Sequence, residues 1–184
     1  MEKLYDSAEQ EYYLSDDDGQ HKLVYAYFGL AIYFGQCLEE TFSAMLWTDR
    51  IFKKKVKMNQ EVNKIIDAIE NSKKTMGVFI NEVKQSYTLT DEIIEQLDKA
   101  LNDRNFLVHK YFKINIQKFY SEIGRLEMLK YFCNFCDNSK SLEKDLKIYY
   151  KKYTDKLGVT QERVDAIMKD MVEQEKKRAE SSSK

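Results

Sequence analysis

The chain has 184 residues, and its 30 basic and 31 acidic side chains leave a net charge of −1. This near-neutral total excludes a generally basic nucleic-acid-binding surface, so any contact with phosphate must come from a local patch. Proline is absent and only six residues are glycine. Since both residues interrupt helices and mark turns, their scarcity predicts an all-α fold of long helices joined by short polar links.

The chain divides into three predicted parts. Residues 1–19 are rich in acidic side chains, and we expect a solvated, solubilising segment that ends in the loop SDDDGQ. Residues 20–157 carry apolar side chains at helical spacing, which predicts a domain of four to five main helices. Residues 158–184 follow a helix stop at Gly158 and predict an amphipathic helix that Thr160 opens, with a frayed end.

Within the helical domain the expected helices cover about 21–48, 59–86, a stretch that begins at the N-cap Thr90, 115–137 and 140–156. Gly29 and Gly35 cost helix propensity in the first of these, so we expect both to mark places where another helix approaches closely. Gly77 is expected to bend the second helix.

The helix after Thr90 has an interrupted apolar stripe. Arg104 projects within roughly 40° of the centre of the sector that the apolar residues define, and Asn105 lies near its edge. A guanidinium is expensive to bury without a partner. Two interpretations stay open: Arg104 pairs with a carboxylate such as Glu39 or Glu40 inside the fold, or this face borders a polar cleft where the charge meets a ligand.

His109, one of two histidines, follows Arg104 after five residues. The two side chains lie about 140° apart on a straight helix, so they can form one site only if the helix bends or ends, or if two copies contribute. From residue 104 to 121 the sequence has no acidic residue, and this window includes Lys110 and Lys113. A polyanion can approach such a patch despite the neutral total. Aromatic residues interleave with the lysines and are able to stack on bases, although core packing is the better explanation for Phe112 and Phe119.

The segment RNFLVH, from Arg104 to His109, resembles the R-x4-6-H motif of HEPN domains, with a polar residue directly after the arginine. Its continuation to Tyr111 is similar to the R-x4-H-x-Y form of HEPN toxins that are paired with MNT nucleotidyltransferase antitoxins. The all-helical pattern and the GQCLEETF segment of the first long helix fit the same family. The resemblance covers residues 20–137 and implies a HEPN-like helical bundle.

The resemblance also implies a function: a metal-independent endoribonuclease, acting as a toxin or phage-defence effector, whose two copies bring their motifs together across a cleft. In that case His109 acts as general base or acid, Arg104 stabilises the charged phosphorane, and Asn105 orients the phosphate or the imidazole. Lys110 and Lys113 would bind RNA. Tyr111 would position RNA, or would be the residue that a nucleotidyltransferase-type antitoxin modifies. No metal or cofactor is implied.

Other motifs offer less. Cys133 and Cys136 form CNFC, but a zinc site needs four ligands and no second paired motif exists, so two small residues of a helix are the better explanation. Three cysteines suit reduced thiols. There is neither an 18-residue apolar run nor a signal peptide, which predicts a cytoplasmic protein without a membrane span. The alternative function is a non-catalytic HEPN-like module that binds a protein or nucleotide, with Arg104 structural.

Overall fold

The computed structural model describes residues 3–56 and 58–182, and these residues confirm the all-α prediction, since none of them lies in a strand. The helices are α1 (Leu4–Leu14), α2 (Asp17–Lys53), α3 (Asn59–Glu70), α4 (Met76–Ser86), α5 (Asp91–His109), α6 (Tyr111–Asn115), α7 (Glu122–Lys156) and α8 (Gln161–Ser182), with a 3₁₀ helix (Ile116–Tyr120) between α6 and α7. None of the helices in the described ranges is both long and apolar enough to cross a membrane.

The two longest helices, α2 and α7, pack along each other and form the centre of the bundle. Helices α1 and α5 pack on α7, while α3 and α4 pack on α2. The core has two clusters. The first cluster includes Leu38, Phe42, Ile80, Leu97 and Leu146, and the second includes Val24, Leu107, Met128 and Phe132. Helix α5 therefore contacts one cluster through Leu97 and the other through Leu107, and Arg104 falls between them along the helix.

Side-chain caps fix where three of these helices begin. The Asp16 carboxylate accepts a hydrogen bond from the Gly19 amide at 2.8 Å, so SDDDGQ starts α2 instead of forming a loop as predicted. Thr90 caps α5 as predicted, its hydroxyl accepting from the Ile93 amide. Ser121 caps α7 by accepting from the Gly124 amide at 3.1 Å. Each cap satisfies an amide that the first helical turn leaves unpaired.

The acidic N-terminal segment is not simply solvated, which corrects the prediction for residues 4–14. These residues form α1, which buries Ala8 and Tyr12 completely and packs on α7. The Leu4 amide donates to Asp137 Oδ2 at 3.3 Å. The apolar residues lie three or four positions apart, which is helical spacing, but the surrounding acidic side chains hid this pattern in the sequence.

Two further predicted boundaries were wrong. The expected helix over 59–86 is two helices, because α3 ends at Glu70 and α4 begins after Thr75, and Gly77 lies in the first turn of α4 instead of bending a longer helix. In place of the expected helices over 115–137 and 140–156, the 3₁₀ helix comes first and one helix, α7, then begins at Glu122. Within α7, Cys136, Ser139 and Leu142 continue the buried face through the polar stretch. The buried face thus overrides the local polar composition.

Of the predictions made for glycine residues, those for Gly35 and Gly158 are confirmed, whereas that for Gly29 is wrong. At Gly35 a side-chain carbon would lie 3.4 Å from Arg104 Cγ, so α5 does approach α2 closely there, whereas nothing lies within 4 Å of the corresponding position at Gly29. Gly158 adopts a left-handed backbone with φ +77° between α7 and α8, which confirms the predicted helix stop. Helix α8 is the predicted amphipathic helix, and it continues to Ser182 where a frayed end was expected.

Candidate functional site

The candidate site lies at the C-terminal end of α5. Helix α5 ends at His109 because Lys110 leaves the helical conformation, with φ −133° and ψ −22°, before α6 begins. His109 is exposed at this junction. It borders a shallow depression of about 370 Å³, which is lined by Asn102, Asn105, Phe106, His109 and Lys110. The helix end thus presents an imidazole, an amide and an ammonium group beside one concave surface.

Arg104 links α5 to α2. Its Nη2 donates to Glu39 Oε1 at 2.7 Å, and the two side chains are 27% and 29% exposed. The absence of a side chain at Gly35 leaves room for the Arg104 stem against α2. Of the two carboxylates considered from the sequence, Glu39 is therefore the partner. Because both side chains are partly exposed, Glu39 fixes the position of the guanidinium but does not exclude it from solvent.

Asn105 connects the two parts of the motif. Its Oδ1 accepts a long hydrogen bond of 3.4 Å from Arg104 Nη1, and the same residue lines the depression beside His109. Arg104 itself is not among the residues that line this depression. One chain therefore brings Asn105, His109 and Lys110 together and leaves Arg104 directed toward α2, as expected for two side chains that lie about 140° apart on a helix.

Tyr111 does not lie on this surface. Its side chain is 4% exposed and stacks on Tyr131 with ring centroids 4.8 Å apart. Burial raises the pKa of Tyr111 above its usual range. An RNA-positioning or enzymatically modified tyrosine has to be reached from solvent, so the structure gives Tyr111 a packing role and separates it from the other predicted site residues.

The window without acidic residues, 104–121, contains exposed lysines, an ion-paired lysine and packed aromatic side chains. Lys110 and Lys113 are exposed, whereas Lys118 is in an ion pair with Glu127 at 2.8 Å. Phe112 packs edge-on against Phe28, and Phe119 packs against His21, so both belong to the core edge as predicted. The cationic patch available to a polyanion therefore centres on Lys110 and Lys113, next to His109.

Sequence reasoning missed a second arginine, Arg125, which is buried at the start of α7. Its guanidinium donates to the Tyr12 hydroxyl at 2.9 Å, to the Phe119 carbonyl at 3.2 Å and to Gln20 Oε1 at 3.1 Å. It also contacts Asp17 and His21. The same signal was available as at Arg104: Arg125 lies three and four residues before Met128 and Leu129, on a stripe that packs.

The paired cysteines are structural. Cys133 and Cys136 are completely buried in α7, and burial raises the pKa of each thiol to about 12. Within residues 3–56 and 58–182, no three or more His, Cys, Asp or Glu side chains lie close enough together to hold a metal ion. The geometry of CNFC thus agrees with two small core residues of a helix.

The chain was compared with protein-family models, curated proteins and solved structures, and none of the three comparisons gives a match.

Proposed function

We propose that this protein is a HEPN-type endoribonuclease that cleaves RNA without a metal ion, as a toxin or defence effector. The observation that carries the proposal is His109, which the RNFLVH segment places exposed at the end of α5 beside Asn105 and Lys110. Its substrate is RNA, and no cofactor is needed. A nucleotidyltransferase-type antitoxin is the partner that the resemblance suggests.

The proposed reaction uses the RNA's own 2′-hydroxyl as nucleophile. One imidazole removes the 2′-hydroxyl proton as the oxygen attacks phosphorus, and an imidazolium returns a proton to the 5′-oxygen as the P–O5′ bond breaks. The products are a 2′,3′-cyclic phosphate and a 5′-hydroxyl end. Arg104 stabilises the extra negative charge of the phosphorane, and Lys110 and Lys113 hold the neighbouring phosphates.

A second copy completes the site in this proposal. One chain supplies a single His109 to the depression, whereas the reaction needs a base and an acid. Two-fold pairing of the α5 ends supplies two imidazoles and brings Arg104 toward the shared phosphate. Val108 and Ile114 are exposed apolar residues of this region, and they favour contact between copies. The cytoplasm, where RNA is present and thiols stay reduced, is the proposed location.

The direct test is RNA cleavage in EDTA by wild type and His109→Ala. We expect a 10²- to 10⁴-fold slower reaction for the variant, which is the usual contribution of a general acid or base. The other histidine offers a matched control, so His21→Gln should cleave at the wild-type rate, with thermal melting used to check that each variant is folded. Equal rates for wild type and His109→Ala, or no cleavage by either, would refute the ribonuclease.

Glu39→Gln tests the role of Arg104. The neutral amide releases the guanidinium for phosphate, so we expect tighter RNA binding or faster cleavage. The pair is partly exposed, so the free energy of unfolding should fall by no more than about 1 kcal/mol. Arg104→Met should lose cleavage in either background. If Glu39→Gln leaves both RNA binding and RNA cleavage unchanged, Arg104 is structural.

The second candidate function is a non-catalytic HEPN-like module that binds a protein or a nucleotide. The Arg104–Glu39 ion pair favours it, because this contact already satisfies the arginine within one chain. Two observations separate the two functions: toxicity on expression in a host cell, and the positions of the two His109 side chains in a dimer. Toxicity that Arg104→Ala abolishes supports the enzyme, whereas a dimer in which the two His109 side chains point away from each other supports the module.

A further inference from the structure

A groove lies between α5 and α7, away from the depression beside His109. It consists of two adjoining cavities of about 200 and 390 Å³, the larger of which alone falls within the range of roughly 300–1,000 Å³ that is typical of small-molecule sites. The two cavities share four lining residues: Lys99, Asp103, Phe135 and Asn138. No residue of this α5–α7 groove lines the depression, so the groove is a separate candidate site.

The inner surface of the groove is apolar apart from one hydroxyl. Ala100 comes from α5, and Phe135 and Leu142 come from α7, where both are buried. Ser139 also lines this surface and is only 4% exposed. Its hydroxyl makes no hydrogen bond to any residue in 3–56 or 58–182. Because a buried polar group without a partner costs free energy, this hydroxyl is available to a molecule in the groove.

The outer edge of the groove carries side-chain amides that have no partner of their own. Gln96, Asn134 and Asn138 line the cavities, and none of their amides is hydrogen-bonded to another residue in the described part of the chain. Each amide offers a donor and an acceptor side by side. Of the residues that line the two cavities, only Lys99 and Asp103 are charged, and they form an ion pair with each other. The groove therefore offers hydrogen bonds but no unpaired charge.

These properties select a class of ligand. A nucleobase is a flat, uncharged ring that has apolar faces and carries hydrogen-bond donors and acceptors along its edge. Its faces suit the apolar inner surface, and its edge suits the Ser139 hydroxyl and the amides. A phosphate would find no unpaired cation among the lining residues, and an aliphatic ligand would leave the hydroxyl without a partner.

We propose that the α5–α7 groove binds a nucleobase, with the ring between Ala100 and Phe135 and its polar edge on Ser139 and Asn138. The base belongs either to a free nucleoside or to an unpaired nucleotide of RNA, in which the base edges and faces are open to a protein. This inference goes beyond the ribonuclease proposal and does not depend on it, because no residue of the groove acts in the proposed cleavage.

Isothermal titration calorimetry of the full chain tests the ligand class. The probes are adenosine, guanosine, cytidine and uridine, together with ribose and the four 5′-monophosphates. We expect at least one nucleoside to bind with a Kd of about 1 mM or tighter. Ribose should bind at least tenfold more weakly, and a 5′-phosphate should tighten binding by less than tenfold. Absence of nucleoside binding, ribose within tenfold of the nucleoside, or a monophosphate that binds tenfold or more tightly would overturn the proposal.

Two substitutions and a matched control test the place of binding. Ser139→Ala should weaken nucleoside binding about 3- to 10-fold, which corresponds to the loss of one hydrogen bond. Asn138→Ala truncates an exposed side chain and should have a similar effect, so it serves if Ser139→Ala does not fold. Ser43→Ala alters a buried serine of α2 that does not line the groove and should bind as wild type. Wild-type affinity in both groove variants, or an equal loss in Ser43→Ala, would contradict the assigned place.

Competition identifies the source of the base. A short single-stranded RNA is mixed with the His109→Ala protein, its binding is followed by fluorescence anisotropy, and the tightest nucleoside is then added. Displacement of the RNA indicates that the groove takes a base of RNA, whereas RNA that binds alongside the nucleoside, or does not bind, leaves a free nucleoside as the ligand. Because nucleoside binding is measured without cleavage, failure of this inference is distinguishable from failure of the ribonuclease proposal.

Discussion

Gly124, at the start of α7, is the position where one added methyl group should do the most damage. Its Cβ would lie 2.6 Å from Lys118 Cα and 2.7 Å from the Lys118 carbonyl carbon, and closer still to the carbonyl oxygen. Real Cβ atoms essentially never lie within 3.0 Å of such atoms. In Gly124→Ala the 3₁₀ helix and the first turn of α7 must therefore separate.

The expected magnitude follows from two opposing effects. Replacing glycine by alanine in a helix favours folding by up to about 1 kcal/mol. Overpacking that moves backbone costs about 1–3 kcal/mol or more, and here the contacted atoms cannot swing aside as a side chain does. We expect Gly124→Ala to lower the free energy of unfolding by about 2 kcal/mol. For a chain of this size that lowers Tm by roughly 4–8 °C.

Gly29→Ala is the matched control, because it makes the same substitution in α2 where no atom lies within 4 Å of the new carbon. This variant should gain about 0.5–1 kcal/mol. Denaturant unfolding followed by circular dichroism gives both values. A Gly124→Ala protein as stable as wild type, or two variants that change in the same direction by the same amount, would refute the steric reasoning.

Three further predictions concern buried side chains. Arg125→Met should lower the free energy of unfolding by about 3 kcal/mol, because it leaves the buried Tyr12 hydroxyl and the partly buried Phe119 carbonyl without their donor. Urea denaturation measures this, and a change within error would contradict the assigned role. Burial raises the pKa of Cys133 and Cys136 to about 12, so only about one in 10⁴ of these thiols is ionised at pH 8. Both cysteines should therefore resist iodoacetamide in the folded protein, and mass spectrometry should detect their modification only after unfolding. Tyr111→Phe should keep wild-type stability and the proposed RNA cleavage, since the ring supplies the packing. Loss of that cleavage in a folded variant would restore the tyrosine to the site.

The sequence predicted the fold class and several helix boundaries because the relevant signals are local. The cap at Thr90 and the stop at Gly158 each depend on a few neighbouring residues, and both predictions are confirmed. The continuity of α7 was missed, since only the buried partners across the bundle show that Ser139 extends an apolar face.

At the candidate site, sequence spacing predicted the separation of Arg104 from His109, and the structure shows Arg104 turned toward α2. The choice of Glu39 over Glu40 depends on which face of α2 meets α5, which periodicity alone did not decide. The burial of Tyr111 comes from its stacking on Tyr131, a residue of another helix. Contacts between distant segments therefore account for what the sequence left open.

The packing of α1 on α7 has a consequence for synthesis on the ribosome. Tyr12 and Leu4 of α1 bond to Arg125 and Asp137, which follow them by 113 and 133 residues along the chain. Helix α1 therefore leaves the ribosome long before its binding surface has been made, and domains generally fold as units once their parts have emerged. Closing so long a loop is an entropic cost met late in folding. During that interval α1 can contact α2, which follows it directly, but the part of α1 that packs on α7 has no partner within its own chain.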